Sequence, residues 1–414
     1  MTLEQRLAAI RAERGARPPP VQRNGDVAAR LAAWEGARLT ATEGGRVALI
    51  ERRIPIPSSV AERLASRPAT AYFDTETTGL STGAGTVVIL AAVGHVDDGA
   101  IVVRQALLPD YPDEPALLRT VLGWMASLDR MVTYNGRGFD VPLLVARMTI
   151  HGLGRGLVEL PAHHDDLLPV ARRLWRRILG SARLADVERG VLNIRRRNDC
   201  PSSEVPQRWF AYLAGASPDL LSAVIDHNAQ DVASLALLDA EMARLRDGGW
   251  RDGSLVDHRG LALELLRDGD PGDALEVLEG VLDGGFGTSV APGGEEPIRL
   301  RRLAGRLLIA GGQATRAETM WREAARSGTV EAALAWIEVA RIRERHSGDL
   351  PGALEATRAA SRVLDLALAL GRGGSIEHIG RARLLVDRRR RRLTSWVAAA
   401  ERRATRVGTI TEVA

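Results

Sequence analysis

The sequence predicts an α/β domain, a mixed five-stranded sheet flanked by helices, followed by an all-α region of helical hairpins. Three observations lead there. Apolar stretches Ala71–Asp74, Val87–His95 and Ala100–Leu108 are separated by Gly-rich or Asp-Asp-Gly turns, as in an antiparallel meander. Helical and strand patterns then alternate from Glu114 onward. After Trp250 the composition shifts to Ala, Leu, Arg and Glu with Gly-Asp breaks.

Taken in order, Leu3–Arg14 has helical spacing and stops at Arg17-Pro18-Pro19-Pro20. The stretch to Arg67 reads as a short helix and a strand pair with Val47–Ile50 as its apolar core. Residues 1–67 are thus expected to flank one edge of a catalytic domain spanning 68–247. Within that domain Glu114–Leu128 reads as a helix and Met131–Tyr134 as a fourth strand. Val141-Pro142 opens another helix, with the proline at a first-turn position. Residues 248–414 form the helical region. There Gly269, Gly312 and Gly348 each precede an alanine by five residues, namely Ala274, Ala317 and Ala353. Val281, Ala324 and Ala360 follow seven further on, small enough to let paired helices pack closely, as in tetratricopeptide-like hairpins. Gly284–Pro297 is expected to be a loop between hairpins. The run Arg388–Arg392 reads as the solvated face of a last helix, with Leu384, Leu385, Leu393 and Val397 as its apolar side.

The chemistry concentrates in Asp74-Thr75-Glu76-Thr77-Thr78-Gly79. Residues two apart in a strand share a face, so Asp74 and Glu76 converge while Thr75 turns away. Asp140 closes Tyr134-Asn135-Gly136-Arg137-Gly138-Phe139-Asp140 at a strand-to-helix junction, and Asp231 closes His227-Asn228-Ala229-Gln230-Asp231. Hard carboxylate oxygens at this density suit two Mg²⁺ or Mn²⁺ ions, about 3.5–4 Å apart, around a phosphodiester. His227 lies four residues before Asp231, on the same helical face, where it could take a proton from an attacking water.

At these residues the chain resembles the DEDD exonucleases of the ribonuclease H-like superfamily. More narrowly, Asp74–Leu80, Tyr134–Asp140, His164-Asp165-Asp166-Leu167, Ala171-Arg172-Arg173-Leu174-Trp175 and His227–Leu235 look like the bacterial YprB-type domain, over roughly Ala69–Leu245. The resemblance implies 3′-to-5′ hydrolysis of nucleic acid, with Asp74, Glu76, Asp140 and Asp231 as metal ligands and His227 as base. It also implies that the backbone around Thr77, Gly79 and Leu80 approaches the terminal nucleotide, with Asn135 nearby. The separation of His227 from Asp231 departs from the five residues usual in the histidine branch and is more like the tyrosine branch. His227 is therefore either the base or a structural residue beside the metals.

The most basic stretch of the domain comprises Arg172, Arg173, Arg176, Arg177, Arg183, Arg189, Arg195, Arg196, Arg197 and Arg208. As a group these read as phosphate contacts, with Arg172, Arg173 and Arg176 foremost. Trp175, Trp209 and Phe210 read singly as core. His163-His164-Asp165-Asp166 reads as a helix entry with an Asp cap rather than as ligands.

The 414 residues allow two or three domains, each with its own core. The formal charge is +4 and every basic side chain among the 56 is arginine, so net charge says little about a partner; local clustering says more. One cysteine, Cys200, excludes an intrachain disulfide and a zinc cluster. No signal peptide or membrane span is read, and a cytoplasmic protein is expected. The leading reading is a metal-dependent 3′-to-5′ exonuclease of single-stranded DNA or RNA, with a protein partner for the C-terminal helices. The alternative is a nucleic-acid-binding or helical scaffold protein with a weakly active or inactive nuclease-like domain.

Overall fold

Strand residues that are buried without alternation, such as Thr70–Phe73 and Val88–Val93, require cover on both faces of a sheet. The computed structural model supplies that cover. It describes residues 27–79, 85–153, 160–196, 199–284, 295–326, 328–371 and 375–411, so Leu3–Arg14, Leu80 and Arg197 lie outside the described residues. The chain divides into two compact units, Met1–Asp247 and Gly248–Ala414.

The first unit runs α1 (Val27–Ala32), β1 (Arg38–Thr42), β2 (Gly45–Pro55), α2 (Ser58–Ala65), β3 (Thr70–Thr77), β4 (Val88–Asp97) and β5 (Ala100–Leu107). It continues α3 (Glu114–Met125), β6 (Arg130–Thr133), α4 (Asp140–Ile150), β7 (His163–Asp166) and α5 (Leu167–Leu174). Short helices α6 (Arg176–Leu179) and α7 (Leu184–Val187) precede α8 (Val205–Leu213) and α9 (Ser222–Arg246). The sheet has seven strands in the order β1-β2-β5-β4-β3-β6-β7. The expected count of five is therefore corrected. The expected N-terminal strand pair does not merely flank the domain: β2 pairs antiparallel with β5 from Ala48↔Leu107 to Pro55↔Ala100 and extends the same sheet.

β3, at the centre, pairs antiparallel with β4 and parallel with β6, which in turn runs parallel to β7. α9 packs across β3, β4 and β5. Its approach is close at Gly94 of β4, where an added Cβ would stand 2.4 Å from Val232 Cγ1. Further along, Asp239 of α9 accepts two of the Arg130 guanidinium hydrogen bonds (2.7 and 2.9 Å) and one from the Tyr72 hydroxyl (3.1 Å). This buried pairing, in which the bidentate geometry offsets the cost of desolvation, ties α9 to β3 and β6.

The second unit contains α10 (His258–Asp268), α11 (Pro271–Leu282), α12 (Glu295–Ala310), α13 (Ala314–Ala324), α14 (Val330–Arg345), α15 (Leu350–Ala369) and α16 (Ile376–Thr411). Gly269, Gly312 and Gly348 lie between α10 and α11, α12 and α13, and α14 and α15, each with positive φ (93°, 73° and 65°). Such a backbone ends a helix and favours glycine. Ala274, Ala317, Ala353, Ala324 and Ala360 are all buried, as close helix pairing needs. The spaced glycines and small residues thus mark three helical hairpins. α12 begins at Glu295, so the end of the expected Gly284–Pro297 loop is helical.

Candidate active site

Asp74 and Glu76 stand near the end of β3, opposite Ala92 and Leu90 of β4, just before a register shift between Glu76 and Thr77. Asp140 is the first residue of α4, after the loop that leaves β6 parallel to β3. His227 and Asp231 come from α9. A cavity of about 530 Å³ brings these together: its lining includes Asp74, Glu76, Thr77, Gly79, Asn135, Asp140, His227 and Asp231. Thr75 does not turn away as expected; it also lines the cavity, and its hydroxyl donates to Asp140 Oδ1.

The loop between β6 and α4 is held from outside. Asn135 has a left-handed backbone (φ 69°), a conformation asparagine tolerates, and its N–H donates to Asp166 Oδ1 at 2.7 Å. Asp166 Oδ2 accepts from the Arg137 N–H (3.2 Å), and Oδ1 also caps α5 through the Leu168 N–H (3.1 Å). The cap expected in His163–Asp166 is therefore present, while His164 bonds Thr133 rather than the acids.

Asp74 is fixed by Asn228, whose Nδ2 donates to Oδ2 at 2.7 Å; Asn228 Oδ1 accepts from Gln105 Nε2 at 2.9 Å. Burial pushes the Asp74 carboxyl well above the usual range, and the charges of Asp231, Asp140 and Glu76 push the same way. Glu76 is raised to about 8 by burial and then by Asp231 and Asp140. Asp140 is raised to about 6 by burial, against the Thr75 hydrogen bond. Burial also raises Asp231, opposed by His227 and Arg196.

Several participants had no signal in the sequence. Glu188, fully buried, accepts two Arg196 hydrogen bonds (2.6 and 2.7 Å) and one from Ser234. Arg196 also donates to Asp231, so it is committed to carboxylates within the site rather than free for phosphate. Arg189 and Arg208 likewise pair with Asp186 and Glu204. Arg172, Arg176 and Arg183 line a second cavity of about 670 Å³ that shares Tyr134, Asn135, Ser202, His227 and Asp231 with the first. Arg173 is not in that lining. Trp175 and Trp209 are fully buried core residues and Phe210 packs against the core.

Among the described residues, no three His, Cys, Asp or Glu side chains stand close enough to share one ion. The donor chemistry nevertheless fits divalent cations. Hard carboxylate oxygens crowd one cavity, and their mutual charge raises one another's affinity for protons, the condition a divalent ion relieves. Arg196 and the Thr75 hydroxyl hold Asp231 and Asp140 meanwhile.

The domain that carries these acids has a counterpart among known proteins. Residues 71–243 match the family model described as RNase_H superfamily. This part of the chain is a ribonuclease H-like domain. A stretch of 174 residues is also 39% identical to "Uncharacterized protein YprB" of Bacillus subtilis (strain 168), covering 42% of this chain and 41% of that protein. The similarity thus spans less than half of either chain. Beyond the ribonuclease H-like domain lie the helical hairpins, and no helix among the described residues is long and apolar enough to cross a membrane.

Proposed function

We propose that the protein is a metal-dependent 3′-to-5′ exonuclease acting on single-stranded DNA or RNA ends. The observation that carries this reading is the joint presence of Asp74, Glu76, Asp140, Asp231 and His227 around one cavity of a ribonuclease H-like domain. Asp74, Glu76, Asp140 and Asp231 would hold two Mg²⁺ or Mn²⁺ ions, which when bound supply charge neutralisation to the phosphate and acidify the attacking water. Asn228 orients Asp74 and Thr75 orients Asp140. His227 accepts the proton released as the water oxygen bonds to phosphorus. The bond from phosphorus to the 3′-oxygen of the penultimate nucleotide breaks, that oxygen takes a proton from solvent, and a nucleoside 5′-monophosphate leaves. Thr77, Gly79 and Asn135 face the terminal nucleotide in this reading, and Arg172 and Arg176 its upstream phosphates.

The test is purified protein on end-labelled single-stranded DNA and RNA with Mg²⁺, Mn²⁺ or EDTA. Expected is stepwise shortening from the 3′ end, stopped by EDTA or a blocked 3′ end but not by a blocked 5′ end. Cleavage of circular single strands would indicate an endonuclease instead. The hold of Arg196 on Asp231 favours a second reading, a nucleic-acid-binding domain of weak activity that works with a partner on tetratricopeptide-like C-terminal hairpins. Tight binding without turnover in either metal would select it.

A further inference from the structure

We propose that Asp199 is a positioning residue for His227, fixing the ring so that Nδ1 carries the proton and Nε2 presents a lone pair to the acidic cavity. His227 Nδ1 lies 2.6 Å from Asp199 Oδ1. On the other side of the ring Nε2 lies 3.7 Å from both Glu76 Oε1 and Asp231 Oδ2. The His227 side chain is only 9% exposed, so these contacts leave it little freedom to turn.

The tautomer follows from donor and acceptor roles. A carboxylate only accepts, so a contact of 2.6 Å requires the proton on Nδ1. Burial raises the Asp199 carboxyl, but the hydrogen bond from His227 and the Arg196 guanidinium bring it below the usual carboxylate range. Arg196 Nη1 stands 3.0 Å from the same Nδ1 and 3.4 Å from Asp199 Oδ1. A guanidinium only donates, so it cannot bond a protonated Nδ1; it serves Asp199 instead.

That arrangement makes Asp199 decisive. Without its carboxylate, Arg196 is the remaining polar neighbour of Nδ1 among the described residues, and a donor there favours the opposite tautomer, with the proton on Nε2 and no lone pair toward the cavity. A ring in that state cannot take a proton from water. The catalytic consequence rests on the exonuclease reading, whereas the tautomer does not.

The experiment is ¹⁵N and ¹³C NMR of the ring in ¹⁵N,¹³C-histidine-labelled full-length protein without metal, about two pH units above the ordinary imidazole pKa of about 6.5. The His227 signal is assigned by its loss in His227→Gln. Expected is the Nδ1–H tautomer in the parent protein and a shift to Nε2–H in Asp199→Ala. The same tautomer in both proteins overturns the proposal, whatever the nuclease assay gives. On end-labelled single strands with Mn²⁺, Asp199→Ala should lower kcat about 10²-fold with KM little changed. An active parent protein with unchanged kcat in Asp199→Ala overturns the catalytic part. A tautomer shift with no activity in the parent protein supports the positioning role and removes the exonuclease reading alone.

Discussion

Asp74 and Glu76 reach one cavity because a strand repeats every two residues, which is why their pairing is legible in six consecutive letters of sequence. Asp199, Glu188 and Asn228 are illegible by the same logic, since each acts through a contact between distant segments that no local period encodes. Thr75 was misplaced because the strand rule describes Cβ direction, not where Asp140 arrives from α4. Two predictions belong to this scale. Asp74→Asn and Asp231→Asn should abolish turnover and also the rise in Tm on adding Mn²⁺, because metal binding to the folded state alone raises stability. His227→Ala should keep that rise and lower kcat by roughly 10²–10⁴. Retention of full activity in His227→Ala would make the histidine structural. The second prediction concerns pH. Glu76 titrates near about 8 and Asp140 near about 6 in the fold, above their ordinary values of 4.5 and 3.8. The folded protein therefore holds protons that the unfolded chain releases, and in EDTA stability falls as pH rises from about 4 to about 8. Calorimetric Tm against pH should show a shallower decline in Glu76→Gln than in the parent protein. Equal slopes would refute the charge crowding.

At the scale of elements, the helix that carries His227 and Asp231 depends on a glycine in the strand beneath it. Gly94 lets α9 lie against β4, and any side chain there meets Val232, the neighbour of Asp231, at 2.4 Å. Gly94→Ala should destabilise the fold by about 1–3 kcal/mol through overpacking. It should also weaken Mn²⁺ binding by displacing Asp231. Adding Val232→Ala, which removes the opposing methyl groups, should recover part of both losses in titration calorimetry and thermal unfolding. No recovery would mean that the strain lies elsewhere. The meander β3–β5, helix α3 and the entry to α4 were readable because hydrophobic period, Asp-Asp-Gly and a first-turn proline each carry a local physical cause. The union of β2 with β5 was not, because edge pairing depends on backbone groups that every sequence possesses. The short helices of 176–192 escaped for a related reason: at four residues each, α6 and α7 show no full period.

For the whole molecule, charge distribution says more than net charge. A formal +4 spread over 414 residues predicts little, yet the structure sorts the arginines of one basic stretch into distinct groups. Arg189, Arg196 and Arg208 pair with carboxylates. Arg172, Arg176 and Arg183 instead line the cavity that adjoins the acids, and none of the three forms an ion pair among the described residues. A polyanion in that cavity would face three guanidinium groups, releasing counterions at each phosphate contact. Replacing Arg172 and Arg176 by Gln should weaken binding of single-stranded oligonucleotides. The slope of log affinity against log salt should fall by about 0.7 for each lost contact. Arg173→Gln, outside the cavity lining, should leave the slope nearly unchanged, so the pair of variants compares position rather than charge. Fluorescence anisotropy in EDTA across a salt series reads this without turnover. If Arg173→Gln flattened the slope as much as Arg172→Gln, binding would follow net charge alone and the cavity would not be the path of the strand.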